Sequence, residues 1–258
     1  MCELLGLCFN QEVKPSFSLR GFSLRSKYNP HGWGLAFYPD KSAQVYKEPT
    51  PSRESPLAKF LKNYDPIKSK IIISHIRYKS AGNVTYKNTH PFQREWDGRD
   101  YIFAHNGNLS INWQGGRYKP IGDTDSEMAF CHIMDQISKE GVTFKRTTEY
   151  KWLWTILNDI NQHGTFNSLN CLLSDGKHLF CYHDQNGYNG LYQLHRKAPY
   201  GPVTLRDDDY QINLADEKSP DQEGYIIASH PLTNEKWEKF SHGQLRVYKD
   251  GKVIYHYP

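Results

Sequence analysis

The sequence predicts one α+β domain in layers, with largely antiparallel sheet and few helices. Three observations carry that prediction. Short β-rich runs recur along the 258 residues with turn formers between them. Only two stretches, both in the middle of the chain, show strong helical periodicity. Strands, then helices, then strands is the order of a layered α+β domain, and the length allows a sizeable buried core. No internal repeat, low-complexity tract or linker divides residues 2–258, which are read as a single domain.

The elements follow in order. In MCELLGLCFN, Leu4, Leu5, Leu7 and Phe9 read as a buried strand in which a cysteine can be a small apolar residue. GLAFY (34–38) is the next strand, and ESPLAKFLKNY (54–64) is a weaker helix after a Pro-rich turn. IIISHI (71–76) and YIFAHN (101–106) are strands. A helix is expected over 125–138, with Phe130, Ile133, Met134 and Ile137 on one face and Thr124 with Glu127 as a capping box. A second spans 149–162, striped by Leu153, Ile156, Leu157 and Ile160. CLLSD (171–175), LFCYH (179–183), YIIAS (225–229), QLRVY (244–248) and KVIYHY (252–257) complete the strands.

Composition removes several function classes. With 32 basic and 28 acidic residues, net +4 and scattered, the charge is no nucleic-acid footprint. No apolar run is long enough for a membrane span and the start lacks a signal-peptide pattern, so no membrane partner and a cytoplasmic location are expected. Cys2, Cys8, Cys131, Cys171 and Cys181 are odd in number and lack C-x-x-C spacing, which suggests neither a disulfide framework nor a zinc site. No cofactor and no metal are expected.

The candidate chemistry starts at Cys2. A small second residue favours removal of Met1, which leaves a thiol and a free α-amine on one residue, a potential nucleophile and base. The dipeptide alone does not favour catalysis over burial. Four further stretches raise the question. SHIRYKSAG sets Arg77 at a strand end, where a solvated charge is the ordinary reading. THPF places His90 before a proline, where a packed loop histidine is ordinary. FAHNGNL ends a strand in Asn106-Gly107, a tight turn or a pair of donors for an oxyanion hole. GDTDSE sets Asp123 and Asp125 at a helix start, where capping and the helix dipole suffice to explain them.

As an ordered set, these motifs resemble the class II glutamine amidotransferase domains of the N-terminal nucleophile hydrolases. The set is MCELLG, GWGLAFY, H-x-R, NTHPF, AHNGNL, DTDSE, LLSDG and ASHPLT, and it is most similar to the stand-alone, YafJ-type branch. The resemblance covers nearly the whole chain. It implies a four-layer αββα sandwich with the first strand central. It implies that Cys2 attacks the side-chain amide of glutamine or a γ-glutamyl compound, with its own α-amine as base. Asn106 by its side chain and Gly107 by its N–H are similar in position to the oxyanion hole. Arg77 is similar to the clamp on the substrate carboxylate and Asp125 to the partner of its ammonium, with Tyr78 and His90 also at the substrate, and Asp123 left as a cap.

The chain departs from the family in two places. His31-Gly32-Trp33-Gly34 stands where this branch commonly reads D-G-W-G, and Tyr78-Lys79-Ser80-Ala81-Gly82 replaces the synthetase domains' continuation after the arginine. The resembling domain takes up all 258 residues, so a hydrolase is expected, with a separate ammonia-accepting subunit as the alternative. A non-catalytic glutamine-binding sensor is a further alternative. A metal hydrolase fits poorly, because His75, His90 and His105 lack compact ligand spacing.

Overall fold

The computed structural model describes residues 1–110, 115–164 and 166–258. Its first half runs β1 (Glu3–Val13), α1 (Ser16–Leu24), β2 (Trp33–Phe37), β3 (Gln44–Glu48), α2 (Pro56–Asn63), β4 (Ser69–Ile76), β5 (Phe92–Trp96) and β6 (Arg99–Asn106). The middle holds α3 (Asp125–Glu140) and α4 (Thr147–Gln162). There follow β7 (Asn170–Ser174), β8 (Leu179–Tyr182), β9 (Tyr192–Arg196), β10 (Pro202–Thr204) and β11 (Gln211–Asn213). The chain closes with β12 (Gly224–Ala228), β13 (Glu238–Lys239), β14 (Leu245–Lys249) and β15 (Lys252–Tyr257).

Two antiparallel sheets form the middle of the molecule. One has the order β13-β9-β12-β1-β4-β2-β3 and the other β15-β14-β8-β7-β6-β5, while β10 and β11 pair separately. Between the sheets lie Leu4, Cys8, Ala36, Ile71 and Ile73 from the first and Ile102, Ala104, Leu172, Leu179, Cys181 and Tyr248 from the second. The opposite face of the first sheet, including Leu5, Leu7, Phe9, Ile72 and Ile226, packs against Phe22 of α1 and Leu61 of α2. The opposite face of the second packs against Phe130, Ile133, Met134 and Ile137 of α3 and Leu153, Leu157 and Ile160 of α4. The layers are therefore α, β, β, α, as expected. β1 has three strands on either side and is buried on both faces, which is why it reads as a continuous apolar run rather than an alternation.

The two central helices begin and end where local chemistry directs. α3 stops at Gly141, whose left-handed backbone caps the helix and returns an N–H to the Ile137 carbonyl. Its start corrects one expectation. Thr124 Oγ1 accepts from the Glu127 N–H at 3.2 Å, but Glu127 does not reach back to complete a capping box. Its buried carboxylate accepts from the Ile121 and Gly122 N–H groups and pairs with Arg94 at 2.6 Å, a charged partner that outcompetes one backbone amide. Asp123 is no cap either: it lies outside the helix and pairs with Lys87 at 3.0 Å. α4 starts two residues earlier than expected, with Glu149 Oε2 taking the N–H groups of Lys145 and Arg146.

Helix α1 and strands β3, β5, β9, β10, β11 and β13 lie outside the elements expected from the sequence. α1 is a short serine-rich segment with Gly21 near its middle. A Cβ at Gly21 would lie 2.8 Å from Leu205 Cδ2, so the glycine admits the 197–223 segment against the helix. β3 and β5 are edge strands of mixed polar sequence, and β9 is flanked on its outer side by the two-residue β13. Among the described residues no helix is long and apolar enough to cross a membrane.

Candidate active site

Strand register brings the site together at one end of the paired sheets. β1 and β4 run antiparallel with Glu3 opposite Ile76 and Leu4 opposite His75, so Cys2 and Arg77 leave their strands side by side. β6 of the other sheet ends at Asn106, paired with Asn170 of β7, and faces the same opening. The start of α3 supplies Asp125. Cys2, Arg77, Tyr78, His90, Gly107 and Asp125 all line one small cavity of about 20 Å³, room for roughly one water.

The Cys2 thiol is bound to the backbone of Tyr78. Sγ accepts from the Tyr78 N–H at 3.1 Å and donates to the Tyr78 carbonyl at 3.2 Å. Cys2 is half-buried, and burial pushes the thiol up to about 11. The Tyr78 hydrogen bond, the chain's amino terminus and Arg77 oppose that rise, and Glu3 adds to it. Met1 is present and exposed, and its amine donates to Asn29 Oδ1 at 3.2 Å.

Arg77 is buried, with its fork turned onto its own loop. Nη1 donates to the Asn83 carbonyl at 3.0 Å and Nη2 to that of Ala81 at 2.8 Å. Burial lowers its pKa, and Cys2 and Asp125 work against the shift. The unusual His31 sits under the same loop, where Nδ1 accepts from the Lys79 N–H at 3.0 Å and the ring meets Tyr78 edge-on. Burial keeps His31 below its ordinary pKa, which suits an accepting, neutral ring.

Asn106 and Gly107 stand differently. Asn106 is buried and gives its amide to the Cys2 carbonyl at 2.6 Å and, more weakly, to Ser229 Oγ at 3.4 Å, so it holds the backbone of Cys2 rather than lining the cavity. Gly107 does line it, at φ 156°. A Cβ there would lie 1.9 Å from the Ser168 carbonyl oxygen, so only glycine brings this backbone so close. Asp125 accepts from the Leu109 N–H at 2.7 Å and the Ser126 N–H at 2.8 Å, tying the turn after β6 to α3.

Three buried histidines cluster at the cavity, with His90 and His105 on its wall and His75 behind them. The His105 ring bridges the Ser168 carbonyl and Ser126 Oγ, which fixes Nε2 as the protonated nitrogen. His75 Nε2 donates to the His105 carbonyl at 3.1 Å and its ring lies tilted at 34°, 4.2 Å from that of His90, whose two nitrogens have no protein partner among the described residues. No group of three or more His, Cys, Asp or Glu among the described residues is arranged to hold a metal ion.

Burial holds His75 down to about 3 and His90 well below its usual value. Unfolded, both titrate near 6.5. Between those values the unfolded chain binds more protons, so stability that is full above pH 6.5 is lost as the pH falls toward 3. Each histidine is expected to cost roughly 2 kcal/mol on going from pH 7.5 to 5. Urea midpoints at the two pH values check this; equal midpoints would show that the histidines do not control acid stability.

Sequence reasoning missed Asn29, Ser126 and Asn189. Asn189 Nδ2 donates to the Cys2 carbonyl at 3.2 Å from 187 residues away. Its only signal was its place among turn formers in DQNGYNG, which mark a loop without saying where the loop docks.

The family model for class-II glutamine amidotransferases matches residues 1–257. The chain is 48% identical to an uncharacterised protein of Methanocaldococcus jannaschii, over 99% of this chain and 71% of that one. It is 38% identical to YafJ of Escherichia coli, a glutamine amidotransferase by name, over 98% of this chain and 100% of that one. A crystal structure from Pseudomonas aeruginosa, described as a predicted glutamine amidotransferase, superposes with a TM-score of 0.73 at 27% identity, covering 98% of this chain and 100% of that one. The glutamine phosphoribosylpyrophosphate amidotransferase of B. subtilis shares the fold at 17% identity, with a TM-score of 0.61 over 98% of this chain and 48% of that one.

Proposed function

The chain belongs to the class-II glutamine amidotransferases, and on that premise we propose that it cleaves the side-chain amide of glutamine or of a γ-glutamyl compound with Cys2 as nucleophile. The observation that carries the reading is the meeting of Cys2, Arg77, Gly107 and Asp125, from four separate segments, around one cavity. Removal of Met1 frees the Cys2 α-amine, which takes the thiol proton. The thiolate adds to the amide carbon, and the Gly107 N–H receives the developing oxyanion, joined by the second Asn106 amide hydrogen once it turns from its long Ser229 contact into the cavity. The protonated amine returns its proton to the departing nitrogen, which leaves as ammonia or an amine. Water, deprotonated by the same amine, then opens the γ-glutamyl thioester and releases glutamate.

Substrate entry requires the loop after Arg77 to give way, because a cavity of about 20 Å³ cannot hold a glutamine. The same fork that now grips the Ala81 and Asn83 carbonyls pairs with the substrate carboxylate, and Asp125 with its ammonium. Arg77→Lys, which offers a point charge in place of the fork, is expected to raise KM for glutamine about 10-fold or more with a smaller change in kcat. An unchanged KM removes Arg77 from substrate recognition.

The test of the reaction is glutamate release by the processed protein from glutamine and from a panel of γ-glutamyl amides. Arg77 and Asp125 address only the α-carbon groups, so amides with larger leaving groups should be accepted at least as well as glutamine. Strict preference for glutamine with stimulation by a co-purifying subunit would make the protein an ammonia donor. Glutamine binding with no turnover after Met1 is removed would make it a sensor.

A further inference from the structure

A second cavity, of about 430 Å³, lies at the far end of β1 on the helix side of the first sheet. That volume suits a small organic ligand. Its apolar wall includes Leu7 and Phe9 of β1 and Ile226 of β12. Around them stand six basic side chains, Lys14, Arg20, Lys62, Lys68, Arg196 and Lys218, against two acidic ones, Glu12 and Glu217.

Half of these cations are already committed. Lys14 pairs with Asp65, Arg20 with Asp208 and Arg196 with Glu235. Among the described residues Lys62, Lys68 and Lys218 have no carboxylate partner, and Lys218 donates only to the neutral Gln222 side chain at 2.9 Å. Burial, with Arg196 nearby, lowers Lys218 to about 8. Arg196 is itself 4% exposed, and its Nε has no partner among the described residues. The first turn of α1, Ser16 to Ser18, also lines the cavity. That helix start has neither a side-chain cap nor an acidic residue in its first turn, so its free N–H groups and the positive end of its dipole are uncompensated.

We propose that this cavity binds an organic phosphate, its phosphoryl group held by the start of α1 with Lys62, Lys68 and Lys218, its apolar or aromatic body on Leu7, Phe9 and Ile226. A doubly charged phosphoryl group answers both the unpaired cations and the uncapped N–H groups, which a single carboxylate would leave partly unmatched. The site is independent of the amidase reading. Leu7 lies five residues along β1 from Cys2, about 17 Å at the rise of an extended strand, so the ligand does not compete with glutamine.

Calorimetry on the full chain with phenyl phosphate, inorganic phosphate and phenol tests this. Phenyl phosphate is expected to bind about 10-fold more tightly than inorganic phosphate through burial of its ring. Phenol is expected not to bind measurably. In the Lys68→Gln/Lys218→Gln double variant, binding of phenyl phosphate should weaken by about 10-fold or more. The thermal unfolding midpoint of that variant should match that of wild type, which shows that it is folded whether or not phosphate binds. No binding of phenyl phosphate up to about 10 mM, or equal binding by wild type and double variant, overturns the proposal. Equal affinity for phenyl phosphate and inorganic phosphate overturns the organic body.

Discussion

Cys2→Ala is expected to lower glutamate release by at least about 10³-fold while leaving the fold intact. The substitution removes the only group proposed to form the γ-glutamyl thioester, whereas the backbone of Cys2 is held independently through its carbonyl, by Asn106 at 2.6 Å and Asn189 at 3.2 Å. The side chain's own bonds are confined to the backbone of Tyr78. Thermal unfolding should therefore shift little, by the ~0.5 kcal/mol ordinary for sites away from the core. Cys2→Ser is the stricter comparison: its hydroxyl can still bond to Tyr78, but it is a far weaker nucleophile, so its activity should fall as well. Alanine-variant activity close to wild type would remove Cys2 from the chemistry.

Retention of Met1 is expected to be equally damaging. In the chain that still carries it, the amine sits one residue away from the thiol and is engaged by Asn29, while the Cys2 nitrogen is an amide with no basicity. Burial raises the thiol to about 11, so at pH 7.5 very little of it is thiolate. A version bearing a cleavable N-terminal extension, assayed before and after cleavage at Cys2, separates the two states. Cleavage should switch on glutamate release and move the pH midpoint of iodoacetamide alkylation at Cys2 downward from about 11. Intact mass reports completion. Full activity in the uncleaved form would show that the α-amine is not the base.

The legible parts of this molecule were those governed by neighbouring residues. The helix face of Phe130, Ile133, Met134 and Ile137 was correctly assigned, because a 3.6-residue period is local and all four are fully buried. The ordered motifs around Arg77, Asn106 and Asp125 were recognisable as a set, although each alone had an ordinary explanation. Failures came where a distant partner intervened. Glu127 looked like half of a capping box until Arg94, from β5, claimed its carboxylate. α1 has no strong helical period, and the Gly21 that weakens it locally instead admits the close approach of Leu205.

By itself the sequence determined the layered α+β class, the positions of the main strands and helices, the family and the residues from which a site could be drawn. These rest on periodicity, turn chemistry and an ordered set of short motifs, all of which are written along the chain. Only the tertiary structure decided that Asn106 faces the Cys2 carbonyl, that the Arg77 fork closes on its own loop, that Asn189 also holds the Cys2 carbonyl, and that a basic cavity lies at the other end of β1. The physical reason is register. An antiparallel pairing fixes which residues stand opposite one another only once two strands far apart in sequence have met, and side-chain geometry at a few ångströms follows from that meeting.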